Sequence, residues 1–277
     1  GIGLRSGLVV FQFFISILLT IGTTVVYQQL NYIQHKKLGY DRDQVLVVHQ
    51  AWRLGQHEDV LRNQLVQDSR VVNASISPYL PAGPSDSNNF IVYADNKEEQ
   101  LTKTLCYNVD YRYLSTMGMQ LVAGRNFSPE FGTDSSGVLI NETAAKALGW
   151  GQNALGHTLT RPNNDGTKST YRVLGIVKDF HFKSMHERIT PLLMTLGNGG
   201  GYLIIKTRPQ SVAGLIDDLK KQWAPLVPDE PFTYSFLDES FNKTYLAEEK
   251  TGQILGLFAG LTIFVACLGL FGLATFM

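Results

Sequence analysis

One stretch of the chain, "VKDFHFKSMHER" from Val177 to Arg188, gathers the residue types that hold metals or move protons: Asp179, His181, His186 and Glu187. Imidazoles and carboxylates at that density suggest a zinc site or an acid–base pair. The spacing does not match the H-E-x-x-H pattern that puts two imidazoles on one helical face. Strand alternation sets Asp179 and His181 on one face, where a histidine serves as hydrogen-bonded scaffold. The turn "GNGGGY", Gly197 to Tyr202, lacks the Lys and Ser/Thr of a phosphate-cradling loop and runs into a strand, so it reads as a hairpin turn. No G-x-S-x-G occurs, and the two cysteines, Cys106 in mid-chain and Cys267 in a terminal apolar run, sit in no catalytic context. The expectation is therefore no catalytic residue, no metal ligand and no cofactor.

Composition narrows the partners. The 277 residues carry 24 basic and 24 acidic side chains, with no basic cluster of the kind that nucleic acids require. Apolar residues concentrate at both ends, in charge-free runs from Gly7 to Tyr27 and from Ile254 to Met277. Each meets the roughly 20 helical residues needed to cross a bilayer core of about 30 Å. The first is too long for the apolar part of a signal peptide and has no A-x-A site after Val26. Two spans place everything between them on one side of a membrane. A first residue other than methionine, and a last residue inside a span, suggest a piece of a longer polypeptide.

Both spans carry packing signals. Gln12, Ser16 and Thr20 recur every four residues, with Thr23 and Thr24 continuing the face; such a stripe finds partners across a helix contact or bonds back to its own helix. Gly252, Gly256 and Gly260, also four apart, predict a flat strip for close helix approach, with membrane lipid as the spans' other partner. Each span is expected to continue into water as a stalk. The stripe Val26, Leu30, Ile33 and Lys37 or Leu38 runs up to a stop at Gly39, and Leu237, Phe241 and Tyr245 lead into Gly252, with Asp238 as helix cap.

Between the stalks the pattern is mixed α+β. "QVLVVHQ", "HEDVLRNQLVQDS" and "RVVNASISP" read as strand, helix on Val60, Leu61, Leu65 and Val66, and strand; "GYLIIKTRP", "SVAGLIDDLKKQWAPL" and "PFTYSFLD" repeat the order. These two β-α-β units are expected to pair into one porter-like layer. The strands between them, with a hairpin through Asn163, Asn164, Asp165 and Gly166, form a strand-rich distal subdomain. The organisation predicted is a transmembrane helix and stalk over 1–38, and an extracytoplasmic domain of two subdomains over 39–236. A second stalk and transmembrane helix follow over 237–277. Within the domain the membrane-proximal subdomain takes about 39–86 and 195–236, and the distal one about 87–194, with soft boundaries near Ser87 and Met194.

Several blocks resemble a known family: "LRSGLVVFQFFISILLTIGTTVVYQQLNYIQHKKLGYDRDQVLVV", "INETAAKALGW", "GIVKDFHFKSMHE" and "FLDESFNKTYLAEEKTGQILGLFAGLTIFVACLGLFGLATF" are similar to FtsX-like permeases with a MacB-type periplasmic core domain, most of all those of Bacteroidota. The resemblance implies a subunit of an ABC transporter in the bacterial inner membrane, its central domain in the periplasm. It implies a separate cytoplasmic ATPase, a second permease half or protomer, and a periplasmic or outer-membrane partner. The work would be mechanical: export or extraction of a substrate, or regulation of a partner, driven by movement passed through spans and stalks. Two rivals remain at this level, a two-span receptor sensing an extracytoplasmic ligand, and a tethered metallohydrolase using His181 and His186.

Overall fold

A computed structural model describes residues 2–81, 89–95, 97–163, 165–197, 200–209 and 212–275. The expected boundary at Ser87, Asn164 of the hairpin and Asn198 and Gly199 of the glycine turn lie outside the described residues. The chain divides into two compact units, residues 1–36 with 242–277, and residues 37–241.

The first unit is a helix pair. Helix α1 runs Ile2–His35 without a break, about 51 Å at 1.5 Å per residue. It ends before Lys37, Leu38 and Gly39, so the stripe stops a turn earlier than expected. Its partner is α7 (Leu246–Ala274), preceded in the chain by the short helix α6 (Leu237–Thr244), within which the division between the two units falls. At Tyr245 the pitch tightens, the Tyr245 amide donating to the Asn242 carbonyl three residues back (3.0 Å). The second stalk is therefore interrupted rather than continuous. Asp238 is not its cap: strand β11 (Tyr234–Phe236) runs straight into α6, leaving Asp238 and Glu239 within the first turn, where carboxylates suit the positive helix end.

Two windows, Val10–His35 and Leu246–Gly272, are long and apolar enough to cross a membrane, and only 6% and 11% of them is buried within the protein. A core helix of a soluble protein would be mostly buried; these expose Phe11, Phe14, Leu257 and Phe271 instead.

The second unit holds two sheets among the described residues. Strands β1 (Val45–Val48), β2 (Val71–Ser77), β10 (Tyr202–Thr207) and β11 form one, in the order β11-β1-β10-β2. Every neighbouring pair is antiparallel. Helix α2 (His57–Gln67) links β1 to β2, and α5 (Val212–Leu226) links β10 to β11. Each β-α-β unit is thus split, with a strand of the other inserted between its own two, the ferredoxin-like arrangement. Alternate residues Leu46 and Val48, Ala74 and Ile76, Leu203 and Ile205 share one face and pack on Leu61, Leu65, Leu215, Leu219 and Trp223 of the helices. Val60 is exposed, contrary to the expected stripe, because the inner face of α2 is centred on Leu61, Arg62 and Leu65.

The other sheet collects β3 (Asn89–Ala94), β4 (Thr102–Val109), β5 (Leu121–Gly124), β6 (Gly137–Asn141), β7 (Thr158–Pro162), β8 (Lys168–Val177) and β9 (Leu192–Leu196). Its order is β5-β8-β6-β9-β4-β3-β7, and β7 also pairs with β8. That last ladder closes six strands into a barrel. The long strand β8 shares one edge between β7 and, further along, β5. Val92, Cys106, Val138, Ile140, Leu159, Val173 and Leu193 fill the interior, and Ala144 and Ala145 of helix α4 (Glu142–Ala147) join them. Strand β9 lies wholly in this sheet, two residues past the expected boundary at Met194. Helix α3 (Tyr113–Thr116) follows β4.

Candidate functional site

Within the helix pair the expected glycine strip is only partly in the seam. A Cβ on Gly252 would lie 3.1 Å from Cγ1 of Val26, and one on Gly256 would lie 3.7 Å from Cγ2 of Thr23; one on Gly260 would meet nothing within 4 Å. Gly260 is exposed, and the buried positions are Ala259 and Ala266, facing a helix whose Ser16 is also buried. The seam thus steps 252, 256, 259, 266. A repeat of about 3.5 residues holds its face between two helices, whereas steps of four drift by about 40° each. The polar stripe is satisfied mostly by its own helix. Oγ of Ser16 donates to the Gln12 carbonyl (2.9 Å), Thr20 to that of Ser16 (2.7 Å) and Thr24 to that of Thr20 (2.8 Å). Gln12 Nε2 and Thr23 Oγ1 are buried with no hydrogen-bond partner among the described residues. Leu30, Ile33 and Gln34 line a cavity of about 250 Å³ with Asn242, Tyr245 and Glu249, next to the tightened turn.

In the second unit, the segment that follows α1 is clamped by backbone contacts. The His181 amide donates to the Leu38 carbonyl (2.8 Å), and the Asp41 amide donates to the Met117 carbonyl (2.7 Å). Gly39, at φ +87°, sits where a Cβ would come within 2.7 Å of Phe180 Cβ and 2.9 Å of the Asp179 carbonyl. It is glycine because the chain passes this close with a left-handed backbone, not because it ends the helix. Aromatic rings continue from there: Tyr40 meets Phe180 edge-on, Phe180 meets Phe182, Phe182 meets Tyr107, and Tyr107 stacks on Tyr79 with centroids 4.7 Å apart. The segment that leaves the domain is held to the one that enters it. Leu237 and Phe241 are buried, and the Arg42 guanidinium lies over the Phe241 ring at 4.4 Å.

The two sheets meet at a buried carboxylate. Asp110, just after β4, accepts from the Ser75 hydroxyl (2.7 Å), the amides of Ile76 (3.1 Å) and Arg112 (3.0 Å), and Nη1 of Arg62 (3.1 Å). Beside it the Ser77 hydroxyl donates to the Asn108 carbonyl (3.0 Å). Burial holds the Asp110 carboxyl above the usual carboxylate range, against the lowering effect of these donors. Sequence reading passed over both Asp110 and Arg62. The available signal was an arginine inside the apolar stripe of α2, a position that demands a buried anion.

Within the titratable stretch, Asp179 is scaffold. Chain 178–182 has left strand β8, so Asp179 and His181 do not share a strand face. Asp179 accepts from the Thr143 amide (3.0 Å) and hydroxyl (2.7 Å), and its own amide donates to Glu142 (2.9 Å). With Asn141, whose side chain accepts from the Ala144 amide, it fastens the start of α4. Among the described residues no three His, Cys, Asp or Glu side chains gather so as to hold a metal ion.

Comparison with known proteins agrees with this architecture. The model of the MacB-like periplasmic core domain matches residues 6–221. The periplasmic region of MacB from Actinobacillus actinomycetemcomitans superimposes with a TM-score of 0.51 at 17% identity, over 73% of this chain and 92% of that one. A domain of a putative permease protein from Porphyromonas gingivalis gives 0.49 at 15% identity, over 70% and 89%. The extracellular domain of the transporter YknZ from Gram-positive bacteria gives 0.45 at 12%, over 62% and 84%. No curated protein sequence matches. With the family model spanning more than half of its length, and the fold shared with the MacB periplasmic region, the chain belongs to the MacB-like periplasmic core domain family.

Proposed function

We propose that this chain is the permease portion of an ABC transporter of the FtsX/MacB type, seated in the bacterial inner membrane with residues 37–241 in the periplasm. ATP would be hydrolysed by a separate cytoplasmic subunit. The chain's own task is to pass that movement outward, to export or extract a substrate or to regulate a periplasmic partner. One observation carries the reading: the chain enters and leaves the periplasmic domain through segments clamped to each other, Arg42 on Phe241, and the entering one is also fixed to the barrel side through Leu38, Gly39 and Asp41. A displacement delivered to one segment is thereby shared with the other and with the barrel. The family match favours this over a two-span receptor and over a tethered metallohydrolase using His181 and His186.

The test uses the intact transporter with its ATPase. Gly39→Val forces a side chain against Phe180 and lowers the work done per ATP, while hydrolysis continues. A variant with unchanged coupling would contradict the clamp.

A further inference from the structure

Strand β11 stands at the edge of the four-stranded sheet: it pairs with β1, and among the described residues no strand pairs with its other side. The His49 amide donates to the Thr233 carbonyl (2.9 Å), one step beyond the pair formed by Val48 and Tyr234. Bonded and non-bonded pairs alternate along an antiparallel ladder, so Ser235, opposite Val47, bonds to β1. Tyr234 and Phe236 therefore turn their backbone amides, and Tyr234 also its carbonyl, away from the sheet. Those outward groups are a template for one more strand. Phe232, Tyr234 and Phe236 recur every two residues and share a face, with successive ring centroids 5.7 and 6.2 Å apart, and Tyr234 is 44% exposed.

Charge selects the occupant. Residues 227–242 hold four carboxylates, Asp229, Glu230, Asp238 and Glu239, and no Lys or Arg. Arg53 takes Glu230 (3.0 Å), whereas Asp229, Asp238 and Glu239 have no ion pair among the described residues. These three lie before and after the strand, so both ends of the template are acidic. A second copy of β11 running antiparallel would set its Asp238 and Glu239 against Asp229, like charge on like.

We infer that β11 is a docking edge for an extended, basic segment of a partner protein, with alternate apolar side chains flanked by Lys or Arg. The partner's backbone pairs with Tyr234 and Phe236, its apolar side chains lie along the aromatic row, and its cations meet Asp229, Asp238 and Glu239. A strand this short offers few backbone bonds, so selection among partners rests on the rings and the carboxylates. Docking here needs neither ATP nor the clamp, so it stands or falls apart from the transport reading.

The experiment uses the full chain in phosphatidylcholine nanodiscs and a fluorescein-labelled heptapeptide of alternating Lys and Val, with anisotropy as readout and empty discs as blank. Saturable binding is expected. It should weaken about tenfold or more when Glu replaces Lys in the peptide, or when alternate peptide nitrogens are methylated on the pairing edge. Tyr234→Pro removes an outward amide at an edge position, where proline is tolerated, and Tyr234→Phe keeps that amide. The first variant should lose about tenfold in affinity and the second should retain it, both with thermal midpoints near wild type. If Tyr234→Pro is unstable, Asp238→Asn/Glu239→Gln must weaken binding of the basic peptide, and the methylated peptide must still bind poorly to the wild type. No saturable binding of the basic peptide, or equal binding of the acidic or methylated one, overturns the proposal. Self-association that Tyr234→Pro abolishes, without peptide binding, overturns it in favour of a second copy.

Discussion

At the scale of single residues, two buried carboxylates give opposite responses to pH. Asp134 has no exposed surface and accepts two charge-assisted bonds from Arg125 (2.7 and 2.6 Å), which hold its carboxyl below the usual range. A depressed value contributes stability that is present above the unfolded-state value near 3.8 and is lost as pH falls through the folded one. Asp134→Asn is therefore expected to lower the thermal midpoint at pH 6, with the difference shrinking below pH 4; a difference that persists at low pH would contradict the assignment. Asp110 has the reverse sign: raised by burial, it loses stability as pH climbs from about 3.8 through its folded value. Removing its charge nonetheless takes from Arg62, whose side chain is only 8% exposed, the buried one of its two carboxylate partners, the other being the exposed Asp59 (2.9 Å). Asp110→Asn should cost about 3 kcal/mol in urea unfolding, and Asp110→Asn with Arg62→Met should recover most of it. Residue types alone identified Asp179 and His181 as worth attention but not what they do, because capping α4 depends on a contact 36 residues away in sequence.

At the scale of elements, local pattern specified most strands and helices, since apolar alternation and helical stripes are properties of short windows. Strand order was not legible: inserting β10 between β1 and β2 is decided by pairing across more than 120 residues. Barrel closure was missed for the same reason, as it rests on how one long strand, β8, divides its edge between β7 and β5. Strand β5, "LVAG", was too short to show alternation. The barrel interior makes a direct prediction for Cys106. Burial raises its thiol to about 11, so maleimide labelling at pH 7 should be slow in the folded protein and should accelerate only on unfolding. In the helix pair, the glycine repeat was visible but its phase was not, because a four-residue step and a 3.5-residue seam agree for two positions and part at the third. Gly256→Leu should weaken α1–α7 association in a disulfide-trapping assay, and Gly260→Leu should leave it near wild type. Equal effects would contradict the seam.

At the scale of the molecule, a helix pair suited to a bilayer bears a domain made of a split β-α-β layer and a closed barrel, joined by Asp110 and entered through a clamped segment. Among the described residues, specific contacts gather where the chain enters the domain, leaves it and crosses between sheets. In the proposed function these contacts carry movement, and the intact transporter with its ATPase tests that most directly. Spin labels at exposed Gln28 of α1 and Asp165 of the β7–β8 hairpin report the distance between helix and barrel. Addition of ATP should shift that distance distribution in the wild type. In Arg42→Gln/Phe241→Leu, which removes the guanidinium–ring contact but keeps an apolar core residue, the shift should fall by more than half while ATP hydrolysis persists. A wild-type distribution indifferent to ATP, or a full shift in the double variant, would contradict the account.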